Sequence, residues 1–172
     1  MIVMMAVLGC GEKDAPINPV EMAVRAVLNK PTGEITKSDL EEVRELEFYG
    51  IQVNDADLKD VVGLKNLNYL NLSSTQITDA GLKDVAKLDK LTDINLGGIQ
   101  ITDAGLKEVA KLGKLTRLEL GSTQITDAGL KEVAKLKYLR TLWIYNTKVT
   151  KAGVTNLQKA LPGCRILSNA KE

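Results

Sequence analysis

The residues of this chain that could do chemistry recur at a fixed interval of 24 residues. Three carboxylates, Asp79, Asp103 and Asp127, lie one interval apart, and each directly follows a threonine. A row of carboxylates could hold calcium ions along the molecule. The same residues suit the first turn of a helix, where an acidic side chain stabilises the positive end of the helix dipole and the preceding threonine caps the helix. We favour the second interpretation and predict no metal site.

Groups that could act as catalysts are scarce. The 172 residues include no histidine, which is the commonest general base and a frequent metal ligand. No nucleophile has a base beside it, and no glycine-rich phosphate loop precedes a helix. Two cysteines, Cys10 and Cys164, are too few for a four-ligand zinc site. The sequence therefore predicts a protein that is not an enzyme and needs no cofactor.

The charges are balanced, with 23 basic and 22 acidic side chains, so we expect no nucleic-acid partner. Lysines nevertheless form two rows at the repeat interval, with acidic residues beside them. We predict a solvated surface of charge pairs, and attraction to an anionic bilayer is the alternative. The rows are Lys83, Lys107 and Lys131, then Lys87, Lys111 and Lys135, with Asp84, Glu108 and Glu132 as the acidic residues.

These rows arise from a repeat whose clearest copies are residues 67–90, 91–114 and 115–138. Residues 100–112 and 124–136 are identical, both reading QITDAGLKEVAKL. A fixed period of this length indicates stacked units that share one continuous core. Diverged copies cover residues 43–66 and 139–163, and a further strand begins at Cys164, which we expect to be a small buried residue.

Each repeat predicts one strand and one short helix. The pattern L-x-x-L-x-L alternates with a period of two, which is typical of a strand. A helix should start after Thr78, with Leu82, Val85, Ala86 and Leu88 facing inward. The expected fold is an α/β solenoid, right-handed and curved, with a parallel β-sheet on the concave face and short helices on the convex face.

The residues before the repeats predict two further helices. Asn18 suits an N-cap, Pro19 the first helical position, and Glu21 could close a capping box. Thr36 begins a second helix. An apolar stripe of Val20, Ala23, Val24, Val27 and Leu28 should cover the first layer of the core. We divide the chain into a segment over residues 1–17, a helical N-terminal cap over 18–42, and repeats over 43–172.

The repeat pattern L-x-x-L-x-L-x-x-T-x-I-T-D-A-G-L resembles bacterial leucine-rich repeats over residues 43–167. Residues 18–40 are similar to the helical cap that precedes such repeats in bacterial surface proteins. This resemblance implies a binding scaffold, because the fold hosts many unrelated recognition tasks. Such repeats usually carry an inward Asn that bonds turn backbone. Threonines can replace part of that bonding at positions 75, 123 and 147, whereas Ile51 and Ile99 cannot.

The first ten residues, MIVMMAVLGC, are apolar and resemble the core of a secretory signal. Val7-Leu8-Gly9-Cys10 resembles a bacterial lipobox, which implies that Cys10 is acylated, with residues 11–17 as a polar tether. The segment departs from that pattern because no Lys or Arg precedes the apolar run. An ordinary N-terminal tail is the alternative interpretation.

The strand residues that point away from the core differ from repeat to repeat, while the helical segments are near-identical copies. This contrast predicts a ligand-binding surface on the concave face, with aromatic side chains at its ends. Recent duplication of the repeats, without selection for binding, is the alternative explanation of the identity. Packing against the C-terminal strand and tail is the alternative role for Trp143 and Tyr145. The predicted binding residues are Tyr49, Tyr69, Asn71, Asn95, Arg117, Glu119, Trp143 and Tyr145.

Taken together, these patterns predict a non-enzymatic recognition module held at a bacterial cell envelope by a lipid on Cys10. A protein, a peptide or a glycan would bind the concave face, and the membrane would be contacted only through the lipid. The alternative is a cytoplasmic adaptor or structural module that has no lipid and binds its partner through the helical face.

Overall fold

The computed structural model describes residues 18–48 and 51–170, and in them each repeat adds one strand to a single parallel sheet. The strands lie side by side in chain order, as expected when consecutive units stack directly on one another. Their register pairs residues 24 apart, so Leu46 lies beside Leu70 and Leu70 beside Ile94. The strands are β1 (Glu45–Glu47), β2 (Tyr69–Asn71), β3 (Asp93–Asn95), β4 (Arg117–Glu119), β5 (Thr141–Trp143) and β6 (Arg165–Leu167).

Short helices form a second layer, and neighbouring helices of successive repeats pack together. Two of the helices precede the sheet, as predicted. Within the described ranges, none of the helices is long and apolar enough to cross a membrane. The helices are α1 (Pro19–Val27), α2 (Lys37–Glu42), α3 (Leu58–Val61), α4 (Leu82–Val85), α5 (Asp103–Val109), α6 (Asp127–Val133) and α7 (Lys151–Ala160).

An aliphatic core fills the space between the two layers. The predicted alternation is confirmed, since Leu70, Leu96 and Leu120 are fully buried and the residues on either side of them are exposed or partly exposed. Cys164 is buried at the position that leucine occupies in other repeats, and this burial raises the pKa of its thiol. A buried, protonated thiol is a packing group rather than a nucleophile.

The threonines at positions 75 and 123 satisfy their buried hydroxyls locally. Thr75 donates to the carbonyl of Leu72 at 2.7 Å, and Thr123 donates to the carbonyl of Leu120 at 2.6 Å. Ile99 has no such group and is simply buried. The core therefore accepts either Thr or Ile at this position, because the threonine hydroxyl donates to a backbone carbonyl of its own repeat.

The N-terminal helices follow most of the sequence prediction. The Asn18 side chain caps α1 by accepting from the Val20 amide at 2.7 Å, and Thr36 with Asp39 forms a capping box on α2. Glu21 forms no such box; it pairs instead with Arg25 at 2.7 Å, because these two side chains lie one helical turn apart.

The apolar stripe of α1 is narrower than predicted. Val20, Ala23 and Val24 join the core and Leu28 packs against it, but Val27, the last residue of the helix, is 50% exposed. Helix α1 packs against β1 and α3. The role of this helical pair as a cap stays a prediction.

The predicted helix starts hold in three repeats and shift in one. The side chains of Thr102, Thr126 and Thr150 cap α5, α6 and α7. Thr78 accepts from the Ala80 amide at 3.3 Å, as the capping threonines of α5 and α6 accept from their own alanines, but the regular helix α4 begins only at Leu82. Here the preceding turn is closed over three residues, with the Lys83 amide donating to the Ala80 carbonyl at 3.3 Å.

Candidate functional site

The outward side of the sheet, which we call the sheet face, carries rows of side chains built by the parallel register. The structure places Tyr69, Asn71, Asn95, Arg117, Glu119, Trp143 and Tyr145 on it or directly at its edge, as the sequence predicted; Tyr49 lies outside the described residues. Their binding role stays a prediction. The first row is Glu45, Tyr69, Asp93, Arg117, Thr141 and Arg165, and the second is Glu47, Asn71, Asn95, Glu119, Trp143 and Leu167.

The centre of the first row is an ion pair across two strands. The Arg117 guanidinium donates to the carboxylate of Asp93, and this bond raises the pKa of Arg117. Asp93 also accepts from the hydroxyl of Thr92 at 2.6 Å. The cation in the middle of the sheet face is therefore held in place by a neighbouring anion, although its side chain is 63% exposed.

Tyr69 keeps its proton at neutral pH. Burial raises the pKa of the Tyr69 phenol, and the nearby Glu47 carboxylate raises it further. Both causes act in the same direction because each disfavours the phenolate anion. Tyr69 therefore presents a phenol, which can donate and accept hydrogen bonds, beside the carboxylates of β1.

Asn71 and Asn95 have a structural role that the sequence analysis missed. The Asn71 side-chain oxygen accepts from the amide and hydroxyl of Ser73, at 3.0 and 2.7 Å. The Asn95 oxygen accepts from the Gly97 amide at 2.9 Å. Each bond spans two residues and shapes the turn that leaves the strand. The signal was an asparagine two residues before a small residue, which is typical of an Asx turn.

Large apolar side chains lie at the C-terminal end of the sheet face. Trp143 is partly buried and lies in register with Leu167 of β6, while Tyr145 is 41% exposed. Between this end and β1, the third row carries Ser73, Gly97 and Gly121, so no large side chain of that row projects there. Trp143 neighbours the terminal strand and keeps part of its surface accessible, and its binding role stays a prediction.

A second arrangement, on the helical side, joins each repeat to the next. Each aspartate of the predicted row accepts two hydrogen bonds from a threonine of the following repeat: Asp103 accepts from the amide and hydroxyl of Thr126, at 2.8 and 2.6 Å. We call this contact the aspartate clamp. Its pairs are Asp55 with Thr78, Asp79 with Thr102, Asp103 with Thr126 and Asp127 with Thr150.

Glycine makes room for the aspartate clamp. A Cβ atom on Gly129 would lie 2.3 Å from an Asp103 oxygen and 2.7 Å from Leu106 Cδ1, closer than atoms tolerate. The same spacing recurs at Gly81, Gly105 and Gly153. Asp103 and Asp127 also begin α5 and α6, as expected, but the sequence did not reveal the inter-repeat bonds. No group of side chains suited to a metal ion occurs within residues 18–48 and 51–170.

The helical face carries the predicted charge pairs. Lys87 pairs with Asp84 at 2.6 Å, and the equivalent lysines, Lys111 and Lys135, pair with Glu108 and Glu132. The lysines remain more than half exposed, so these pairs contribute little to stability. This part of the helical face is a solvated, charge-paired surface.

Comparison with known proteins bears on the repeat. A family model described as a leucine-rich repeat matches residues 63–86 and 114–134. The fold is a leucine-rich repeat solenoid. A solved structure of a leucine-rich repeat protein from Leptospira interrogans is 30% identical, with a TM-score of 0.54; the match covers 74% of this chain and 38% of that one. Internalin C2 from Listeria monocytogenes matches the fold at 20% identity and a TM-score of 0.50, covering 90% of this chain and 85% of that one.

No curated protein matches the sequence. Leucine-rich repeat proteins are typically protein-binding modules and are generally not enzymes. In such a solenoid the stacked repeats present an extended surface for a partner. The sheet face is therefore the candidate site of this solenoid.

Proposed function

We propose that this leucine-rich repeat chain is a non-enzymatic recognition module that binds a protein, a peptide or a glycan on its sheet face. One observation carries the proposal: the sheet-face rows change from repeat to repeat, whereas residues 100–112 and 124–136 of the helical side are identical. The aspartate clamp explains why the helical side is copied, since every repeat needs the same contacts. The aspartate clamp does not involve the sheet-face residues, so it does not explain why they differ.

Trp143 and Tyr145 are the anchors in this proposal. Aromatic side chains contribute most to binding when they fill a pocket of the partner, because they bury a large apolar area at a small entropic cost. Tyr69 and the Asp93–Arg117 pair would set the polarity of the surface between the two ends. The turn-shaping Asn71 and Asn95 hold the edge of the site in one conformation.

A screen against peptide and glycan arrays tests this proposal. The native protein is expected to bind a restricted set of spots, and Trp143→Ala with Tyr145→Ala should lose them. Lys107→Ala is the control, because it removes an exposed side chain from the helical face. Spots that survive the aromatic double substitution but disappear with Lys107→Ala would place the site on the helices instead.

We further propose that a lipid on Cys10 holds the module at a bacterial cell envelope. The support is the lipobox-like Val7–Cys10 stretch after an apolar run, which lies outside the described residues. In the native host, Cys10→Ser should release the protein from membranes, and mass spectrometry should find an acylated Cys10 at the mature N-terminus. Native soluble protein that still starts at an unmodified Met1 would contradict this proposal and favour the cytoplasmic adaptor.

A further inference from the structure

We infer, resting on the proposed function, that the sheet face takes an extended polypeptide segment with basic residues over β1 and an apolar side chain over β5 and β6. The inference deepens the proposed site by naming the chemistry and the direction of its partner. It rests on the uneven distribution of charge and apolar surface across the sheet face.

The acidic end of the sheet face is β1. Glu45 and Glu47 are both exposed, and neither forms an ion pair with another described residue. The nearest flanking cation, Arg44, donates to the backbone carbonyl of Glu41. Arg117, on β4, is already paired with Asp93. Glu47 accepts from the Tyr69 phenol, but neither carboxylate is paired with a described cation, so a partner with Lys or Arg side chains complements both.

The apolar end of the sheet face lies at β5 and β6, four and five strands from β1. Trp143 and Leu167 are partly exposed neighbours, and Tyr145 projects beside them. Arg165, in the first row of the same end, is exposed and positively charged. That cation disfavours the reverse orientation, in which the basic residues of the partner would lie over β6. The charges thus select one direction for the segment.

The glycine positions of the third row leave a low strip in the middle of the site. Gly97 and Gly121 carry no side chain, and the oxygens of Asn71 and Asn95 are turned toward their own turns. Glu119 borders this strip, with a carboxylate oxygen 3.9 Å from where a Cβ on Gly121 would lie, and adds a third carboxylate that a basic residue complements. A backbone can therefore approach closely along the glycines between the two ends. Four strand steps of about 4.8 Å separate Glu47 from Trp143, roughly 19 Å, and an extended polypeptide covers this in about six residues at about 3.3 Å each.

This chemistry favours a polypeptide over a glycan. Lys and Arg supply the cations that Glu45 and Glu47 complement, while uronic acids and phosphates would be repelled by the same carboxylates. A polypeptide also alternates side chains, so its basic and apolar residues can face the sheet face while intervening residues face away.

Selection from a phage-displayed library of random 12-residue peptides tests the inference. On the native protein, enriched peptides should carry Lys or Arg about six residues from a Leu, Phe, Trp or Tyr. Charge reversal with Glu45→Lys and Glu47→Lys should weaken a selected synthetic peptide at least tenfold and should be rescued when the basic residues of that peptide are changed to Glu. Binding is read by isothermal titration calorimetry, which serves the native protein, the charge-reversed protein and Trp143→Ala alike.

The outcomes separate the inference from the proposed function. Peptides that depend on Trp143 but show no preference for basic residues, or that bind the charge-reversed protein equally well, overturn the inference and leave the sheet-face site intact. Peptides that bind Trp143→Ala and the charge-reversed protein as tightly as the native protein overturn both. Failure to enrich any peptide also overturns the inference. Circular dichroism of the charge-reversed protein checks that its fold is unchanged, which exposed positions should permit.

Discussion

The two faces of this solenoid use the same repeat in opposite ways. On the helical side, Asp, Thr and Gly recur at the same positions because each aspartate bonds the next repeat and each glycine leaves space for it. On the sheet face, equivalent positions hold Glu, Tyr, Asp, Arg and Thr in succession. Repetition therefore marks the residues that join repeats, whereas variation marks the surface that is free to acquire a partner.

Removing a core leucine should cause the largest loss of stability. Because both layers pack on that leucine, the loss belongs to neither face in particular. Leu120 is fully buried between the layers, so Leu120→Ala should cost about 2–5 kcal/mol of stability through lost burial and a cavity. Because each repeat contacts only its neighbours, the damage should also broaden the unfolding transition. Urea denaturation measures both; a loss below about 1 kcal/mol would mean that the strand register is wrong.

Replacing a glycine beside the aspartate clamp should destabilise the protein through contacts on the helical side. Gly129→Ala brings a methyl group against Asp103 and Leu106, and we expect a loss of about 1–3 kcal/mol from overpacking. Gly113→Ala is the matched control, because a Cβ there meets no atom within 4 Å. Equal melting temperatures for the two variants would refute the account of these glycines.

Removing the carboxylate tests the aspartate clamp itself. Asp103→Ala deletes both acceptors for Thr126, so a loss of roughly 1–2 kcal/mol is expected. The double variant Asp103→Ala with Gly129→Ala should lose less than the sum of the single variants, because the obstacle to the new methyl group is gone. Strict additivity in denaturant titrations would show that the two residues act independently.

Changes on the sheet face should scarcely affect stability. Arg117 is mostly exposed, so Arg117→Ala should cost no more than about 1 kcal/mol even though its ion pair with Asp93 is lost. Thermal melts beside those of Asp103→Ala check this difference. A larger loss from Arg117→Ala than from Asp103→Ala would reverse the comparison between the two faces.

Much of this fold could be predicted from the sequence, because periodicity fixes both the strands and the stacking. The spacing of Leu46, Leu70 and Ile94 gave the register directly. The aspartate clamp could not be found in this way, because its bonds join residues 23 apart and depend on how two repeats pack. The exposed Val27 escaped prediction for a similar reason, since helical spacing does not tell where the covered surface ends.

The candidate site could be predicted in position but not in detail. Alternation around Leu70 and Leu118 places Tyr69, Arg117 and Glu119 on the outward side of the strands. The pairing of Arg117 with Asp93 and the turn bonds of Asn71 depend on side-chain conformations, which no one-dimensional pattern encodes. Sequence reasoning therefore identified the surface and could not distinguish its contact residues from its supporting ones.

Trp143→Ala and Lys107→Ala together decide whether the sheet face binds the partner while the helical side only supports it. Each variant is titrated with a partner selected on the native protein and melted in parallel. We predict that Trp143→Ala weakens binding by at least about 2 kcal/mol with little change in melting temperature, while Lys107→Ala changes neither. A collapse in the melting temperature of Trp143→Ala, or loss of binding in Lys107→Ala alone, would contradict this assignment of the two faces.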